Sequence, residues 1–235
     1  MWYIDVDKDD DGYADYRGVY FTSYRPNTSI SSDGSNSTQL TNGYHVNTVY
    51  WFKYDPIEWR LCFTQDGKSY VISEYILDVT YFENSSNTSS FSHNGGTDYG
   101  NSYKYSDLKN FVSTNFEAKL TTAQKNLLVQ IQSSNVTSYV NIFAQAGVPN
   151  IIASSRIGFG TAYAKCMGLQ VYTGGSTETR GSSPWWTTSA ASGTNNSNKA
   201  YYVPQNLSPT TCYVYSSTVG VRPSVAFNAT KVTRG

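Results

Sequence analysis

The sequence predicts an α+β domain, with strands at both ends, a short helical stretch in the middle and loop-rich strands after it. Two observations carry that prediction. Period-two alternation of aromatic and β-branched residues recurs before residue 80 and after residue 184, whereas helix caps followed by apolar residues three and four apart occur only between residues 106 and 168.

The first strands are expected at Tyr16 to Tyr24, Val46 to Tyr54, Ile57 to Thr64 and Lys68 to Leu77, the last two joined by the hairpin turn Asp66-Gly67. Asn27 to Gly43 and Glu83 to Asn101, rich in Ser, Thr, Asn and Gly, read as long loops. Ser106 is the expected N-cap of a helix that buries Leu108, Phe111, Val112 and Phe116, and Thr121 with Gln124 forms a capping box for a second helix through Leu128. A third short helix is expected over Thr161 to Met167, stopped by Gly168. Strands resume at Trp185 to Ser189, Ala200 to Val203, Cys212 to Tyr215 and Val219 to Phe227. No composition break or internal repeat divides the chain, so residues 1–235 are read as one domain that begins with an acidic segment over 1–18, with terminal strands able to pair.

Seventeen basic residues balance seventeen acidic ones, which leaves no electrostatic footprint for a nucleic-acid backbone or an anionic membrane. No stretch is apolar for long enough to span a bilayer. The amino terminus lacks a basic region followed by an apolar one, so an export signal would lie in a longer parent chain. Charged residues make up 14% of the chain and aromatic ones 15%, so the surface must draw on Ser, Thr, Asn, Gly and Tyr, as in extracellular β-rich domains. Cys62, Cys166 and Cys212 are odd in number and widely spaced, which argues against a disulfide framework or a zinc cage.

Several runs then fall in a recognisable order. YRGVYFTSYRP (Tyr16 to Pro26) is followed by VYWFKYDPIEWRLCFTQDGKSYVISEYILD (Val49 to Asp78), NSYKYSDLKNFVSTNF (Asn101 to Phe116), TTAQKNLL, TAYAKCMGL, SPWWTTSA (Ser183 to Ala190) and GVRPSVAFN (Gly220 to Asn228). The series resembles an uncharacterised domain family of gut-bacterial surface proteins with a P-I-x-W core and a terminal G-V-R-P. That resemblance implies a fold similar to C-type-lectin-like or formylglycine-generating-enzyme-like domains and a place outside the cell, on a cell surface or on a virion. It implies no reaction. The chain departs from the family where an arginine followed by W-L-N is usual in the helix, since Lys109, Asn110, Phe111, Val112 and Ser113 stand there. It departs again after Trp186, where Thr187, Thr188, Ser189 and Ala190 replace W-L-R-S-P.

Three groups of residues are singled out for chemistry. DVDKDDDGYAD (Asp5 to Asp15) aligns with a calcium loop that takes ligands from Asp7, Asp9, Asp11, the Tyr13 carbonyl and Asp15, with Gly12 at the tight turn. The twelfth position falls on Gly18 instead of a carboxylate, so any calcium there is expected to fasten structure. Between Gly174 and Ser217, small polar residues (Thr194, Asn195, Ser197) mix with aromatics, and Trp186, Thr188, Asn196, Asn198, Tyr201, Tyr202, Tyr213 and Tyr215 form the expected ligand surface. Strand alternation should expose only one of Trp185 and Trp186. Glu58 is expected to meet Arg60 or Arg222, and Arg222 to act as a partly buried fastener.

The catalytic inventory is poor. His45 and His93 lie in polar stretches, Asp55 and Glu58 point to opposite faces, and no nucleophile elbow or metalloprotease motif appears. The expectation is therefore a non-catalytic extracellular module that binds a glycan or a protein on another cell or host surface. The alternatives are a retroelement-diversified receptor-binding protein varying over Thr187 to Thr218, an enzyme on the formylglycine-generating-like scaffold, and a structural spacer.

Overall fold

A computed structural model describes residues 1–25, 37–145, 151, 153–193, 196–205 and 207–228. It is rich in antiparallel strands with a few short helices, an α+β architecture. Three sheets form its frame. The N-terminal sheet takes Trp2–Val6, Tyr16–Tyr20 and Val49–Lys53 in chain order, with Tyr16–Tyr20 in the centre. A four-stranded sheet runs Leu128–Val129, Ser224–Asn228, Lys68–Ser73, Trp59–Gln65. A five-stranded sheet runs Thr210–Tyr213, Lys199–Val203, Trp185–Ala190, Gly220–Val221, Asp78–Val79.

Local signals place the helices. Ser106 Oγ accepts from Lys109 N at 3.1 Å and starts the helix Asp107–Asn115, which buries Leu108 and Val112 and leaves Phe111 and Phe116 half-covered. Both bonds of the Thr121–Gln124 capping box form ahead of Thr122–Leu127. The helix Ala162–Cys166 starts at Thr161 and gives way to Gly168 at φ +99°. Asp66 and Gly67 have φ of +49° and +70°, as a tight hairpin turn demands.

Four expectations are corrected. A strand, Trp2–Val6, occupies the acidic N-terminal segment. Glu83 to Asn101 is not a plain loop: it holds the hairpin Phe91–His93/Gly96–Asp98, turned at Asn94-Gly95 with φ of +44° and +86°. Within Asn27 to Gly43, residues 27–36 lie outside the described residues, but Thr38–Thr41 is helical and capped by Ser37. The terminal strands do not pair, because Trp2–Val6 is taken by Tyr16–Tyr20 and Ser224–Asn228 by Lys68–Ser73 and Leu128–Val129.

The expected strand Val219 to Phe227 is split by Arg222-Pro223, and each half joins a different sheet. Proline suits such a break, since it cannot donate to a ladder. Arg222, only 1% exposed, fixes the crossing by donating to the carbonyls of Ser73 (2.8 Å), Ser155 (2.6 Å) and Glu74 (3.1 Å). Its burial is complete where partial burial was expected, and the low-dielectric surroundings lower its pKa to about 10. Arg60 pairs with Glu74, so neither arginine takes Glu58 as its ion-pair partner.

Two apolar clusters form the core. One gathers Val19, Phe21, Ile72, Ile76, Leu169 and Trp185, the other Phe82, Leu108, Val112, Ile142, Trp186 and Val225. The strand Trp185–Ala190 runs between them. Among the described residues no helix is long and apolar enough to cross a membrane.

Candidate functional site

The expected C-terminal ligand surface survives only in part. Trp186 is completely buried: its Nε1 donates to the Thr80 carbonyl at 2.9 Å and its ring meets Phe82 edge-on at 5.6 Å. Trp185 is buried too, its Nε1 bonded to the Arg156 carbonyl, because the strand has a core on each face. Alternation still sends the two indoles to opposite sides, but neither side is solvent. Thr188 is buried as well, its hydroxyl held between Ser133 Oγ (2.7 Å) and Ser134 Oγ (2.8 Å). Asn198 is buried and donates to the Ser86 carbonyl, while Asn196 donates to the Ser192 carbonyl at 2.7 Å. Tyr201 and Tyr202 are half-buried, the latter edge-on to Trp186.

What stays exposed is a smaller group on the sheet edge. Tyr213 and Tyr215 stack with centroids 5.0 Å apart, and Lys199 Nζ lies 5.3 Å from the Tyr213 ring. Thr194 and Asn195 lie outside the described residues.

The acidic loop joins the first two strands as the tip of a hairpin. One carboxylate oxygen from each of Asp7, Asp9 and Asp15 lies within 4.8 Å of the others. Backbone bonds shape this cluster: Asp7 Oδ2 accepts from Gly12 N (2.9 Å) and Asp15 Oδ2 from Lys8 N (2.7 Å). Asp7 Oδ1 is enclosed without a hydrogen-bond partner. Asp11 stands outside the triad, because its carboxylate turns back to accept from Tyr13 N at 2.8 Å. Such a donor set suits a hard cation that prefers oxygen.

The same hairpin carries a feature the sequence reading missed. Pairing register sets Trp2 opposite Tyr20 and Tyr20 opposite Val49, then Ile4 opposite Gly18 and Gly18 opposite Trp51. These residues share the outer face of the N-terminal sheet, since the core side is taken by Val19, Tyr50 and Phe52. Trp2 is 70% exposed, Ile4 61%, Trp51 55% and Val49 53%. The Trp51 ring rests over Gly18, where a Cβ would fall 2.8 Å from Cζ3 and 2.9 Å from Cη2. Glycine thus lets the indole lie down on the sheet. A residue-by-residue signal existed, the alternation in WYIDV and VYWFK, but alternation alone does not say which face is covered.

The platform is anchored from below. Arg17 grips Asp5 through two bonds of 2.7 Å, and its guanidinium sits 4.8 Å from the Tyr3 ring, 5.4 Å from Tyr54 and 5.8 Å from Tyr163. The Arg17 hydrogen bonds hold the Asp5 carboxyl below the usual carboxylate range. Tyr163 belongs to the helix Ala162–Cys166, so this cluster joins the hairpin to the body of the protein.

Comparison with family profiles, characterised proteins and solved structures finds no match. The likeness to a surface-protein family therefore rests on the motifs in the chain itself.

Cys62, Cys166 and Cys212 are free thiols, and burial pushes them up to about 11, 12 and 12, which disfavours the nucleophilic thiolate. His45 is exposed; Asp55 pairs with Lys53 at 3.0 Å, and Glu58 faces solvent.

Proposed function

We propose that this chain is a non-catalytic binding module working outside the cell, and that it meets its ligand with the outer face of the N-terminal sheet. The observation that carries the reading is the pair of exposed indoles, Trp2 and Trp51, on one face with Ile4, Tyr20 and Val49. Contiguous exposed apolar surface of this kind marks an interaction site in a monomeric protein. A glycan is the ligand we favour, because a flat, solvent-facing indole matches the apolar face of a sugar ring and polar neighbours can address its hydroxyls. A protein ligand is the alternative.

Calcium belongs to this reading as a fastener. Held between Asp7, Asp9 and Asp15, it would neutralise three clustered carboxylates and stiffen the hairpin that bears Trp2 and Ile4. The resemblance to C-type-lectin-like domains supports an extracellular role and a loop-rich binding scaffold, although the terminal strands depart from it by pairing in separate sheets. The retroelement reading has less support, since Thr187, Thr188, Asn198, Ala200, Val203 and Val214 in the supposedly variable stretch are all buried.

The test is a glycan-array and cell-binding screen of wild type, Trp2→Ala, Trp51→Ala and Tyr213→Ala, each with calcium and with chelator. We expect at least tenfold weaker binding for the two tryptophan variants, with unchanged melting temperature. Full binding in both, with loss in Tyr213→Ala, would transfer the site to the edge of the five-stranded sheet.

A further inference from the structure

The excursion from Glu83 to Asn101 lies against residues 191 and 196–199 and ties itself down at many points. Phe82 N and Glu83 N both donate to the Val214 carbonyl, at 2.9 and 3.0 Å. Asn101 Nδ2 reaches the carbonyls of Ala191 (3.2 Å), Asn196 (3.0 Å) and Lys199 (3.1 Å), and Ser197 Oγ bonds the Thr88 carbonyl. The helix Asp107–Asn115 closes the arrangement, for Asp107 Oδ2 accepts from Asn84 N (2.9 Å) and Oδ1 from Asn94 Nδ2 (3.0 Å).

At the centre of this clasp, Glu83 Oε2 stands 4.0 Å from His93 Nε2, and both side chains are only 6% exposed. His93 Nδ1 lies 3.0 Å from the Phe91 carbonyl, which assigns the ring proton to Nδ1. Nε2 is then a bare acceptor, buried and without a partner. Phe91 stacks on the imidazole at 4.3 Å and Tyr105 meets it edge-on at 6.0 Å, so the ring is held in place. The charged and titratable groups about the pair are Asp107 from the helix, with Tyr105 and the exposed Lys104 from the turn before it.

Nε2 is left without a donor at that depth, and the carboxyl oxygen that faces it has the long 3.3 Å bond from Asp107 N. A metal ion fits poorly: the pair offers two ligands, Glu83 Oε2 already accepts from Asp107 N (3.3 Å), and the N-terminus of a nine-residue helix repels a cation. A proton fits well. We propose that a proton held by Glu83, offered to the bare His93 Nε2, latches the 83–101 excursion onto the edge of the five-stranded sheet, and that its loss frees that edge. With the proton on the carboxyl, closing the 4.0 Å gap by about 1 Å lets Glu83 Oε2–H donate to Nε2; with it gone, a buried carboxylate faces a lone pair with Asp107 close by.

Burial, reinforced by Asp107, pushes the Glu83 carboxyl up to about 7. A raised folded-state pKa means the latch contributes fully below the ordinary glutamate value, 4.5, and is lost as pH rises through about 7. The device is independent of the ligand-facing role given to the N-terminal sheet.

Hydrogen exchange read by mass spectrometry between pH 5.5 and 8.5, corrected for intrinsic rates, tests it. Protection of peptides covering 83–101 and 196–199 should fall about tenfold from pH 6 to pH 8 in wild type. In Glu83→Gln, whose amide can donate to Nε2 at any pH, the fall should vanish. Protection that is flat in wild type, or that falls equally in Glu83→Gln, overturns the proposal. Carboxyl-carbon NMR titration of wild type gives a second readout: a Glu83 midpoint near the ordinary glutamate value would overturn it without any variant.

Discussion

Two of the strands that carry tryptophan bring it to opposite outcomes. In Trp185–Ala190 the first four residues, Trp185, Trp186, Thr187 and Thr188, are all buried; in Val49–Lys53, Trp51 lies more than half in solvent. The local sequence hardly distinguishes the two, since both strands are aromatic and β-prone. The difference lies in the layers above and below. Phe82 and Leu108 cover one side of Trp185–Ala190 and Ile76 and Leu169 the other, whereas the N-terminal sheet packs on the body with one face only, through Val19, Tyr50, Phe52 and the Arg17–Tyr163 contact. An indole with a cover on its face contributes stability; one without is left free to meet a partner.

The largest effect that would break or sharpen this contrast is on stability. Trp186→Ala should cost about 3–5 kcal/mol, through lost burial, a residual cavity and an orphaned Thr80 carbonyl. Trp51→Ala, at an exposed site, should stay within about 0.5 kcal/mol of wild type. Urea unfolding followed by circular dichroism measures both. Comparable losses would mean that the outer sheet face is structural, and the binding role given to it would fall.

Elements with a local cause could be read from the chain. Ser106, the Thr121–Gln124 pair, Thr161 with Gly168, and Asp66-Gly67 each act within a few residues, and each forms as expected. The turn at Asn94-Gly95 was equally local, and an Asn-Gly step is a strong hairpin signal; a polar surrounding run hid it. Features that depend on distant partners were not legible. Burial of Trp186 requires Phe82 and Val225 to arrive from remote segments, and exposure of Trp51 requires that none of the described segments cover it. The acidic loop falls between these cases: spacing marks Asp7, Asp9 and Asp15, but the backbone turn at Asp10 (φ +59°) and Gly12 (φ +91°), which leaves Asp11 bonded to Tyr13 N, does not follow from counting carboxylates.

A middle-sized effect concerns how Trp51 is presented. Gly18→Ala would place a methyl group within 3 Å of the indole carbons and lift the ring from the sheet. Stability should change by less than about 1 kcal/mol, because the ring has solvent to move into and alanine suits a strand better than glycine. Ligand binding should weaken several-fold although the tryptophan is still there. The upfield ring-current shift expected at the Gly18 α-protons in wild type, and its absence in Trp51→Ala, would report the starting geometry independently of any ligand. Unaltered binding by Gly18→Ala would make the flat pose of the ring incidental.

The smallest effect separates the hairpin from the body. If calcium sits between Asp7, Asp9 and Asp15, saturation at ten times its dissociation constant stabilises the folded chain by about 1.4 kcal/mol. For a chain of this size that raises the melting temperature by about 3–6 °C. Asp7→Asn should abolish the shift, whereas Asp11→Asn should retain it, since Asp11 is bonded to Tyr13 N and stands apart from the triad. A pair of differential scanning fluorimetry series, with calcium and with chelator, decides the matter: equal loss in both variants would restore the full sequence-read ligand set, and no shift in wild type would remove the cation altogether. The outcome bears on the platform as well, for Trp2 and Ile4 sit on an edge strand held from one side only. Ordering the tip of that hairpin reduces the conformational entropy a ligand must freeze out, so a calcium-bound loop would raise affinity at Trp2 without touching the ligand.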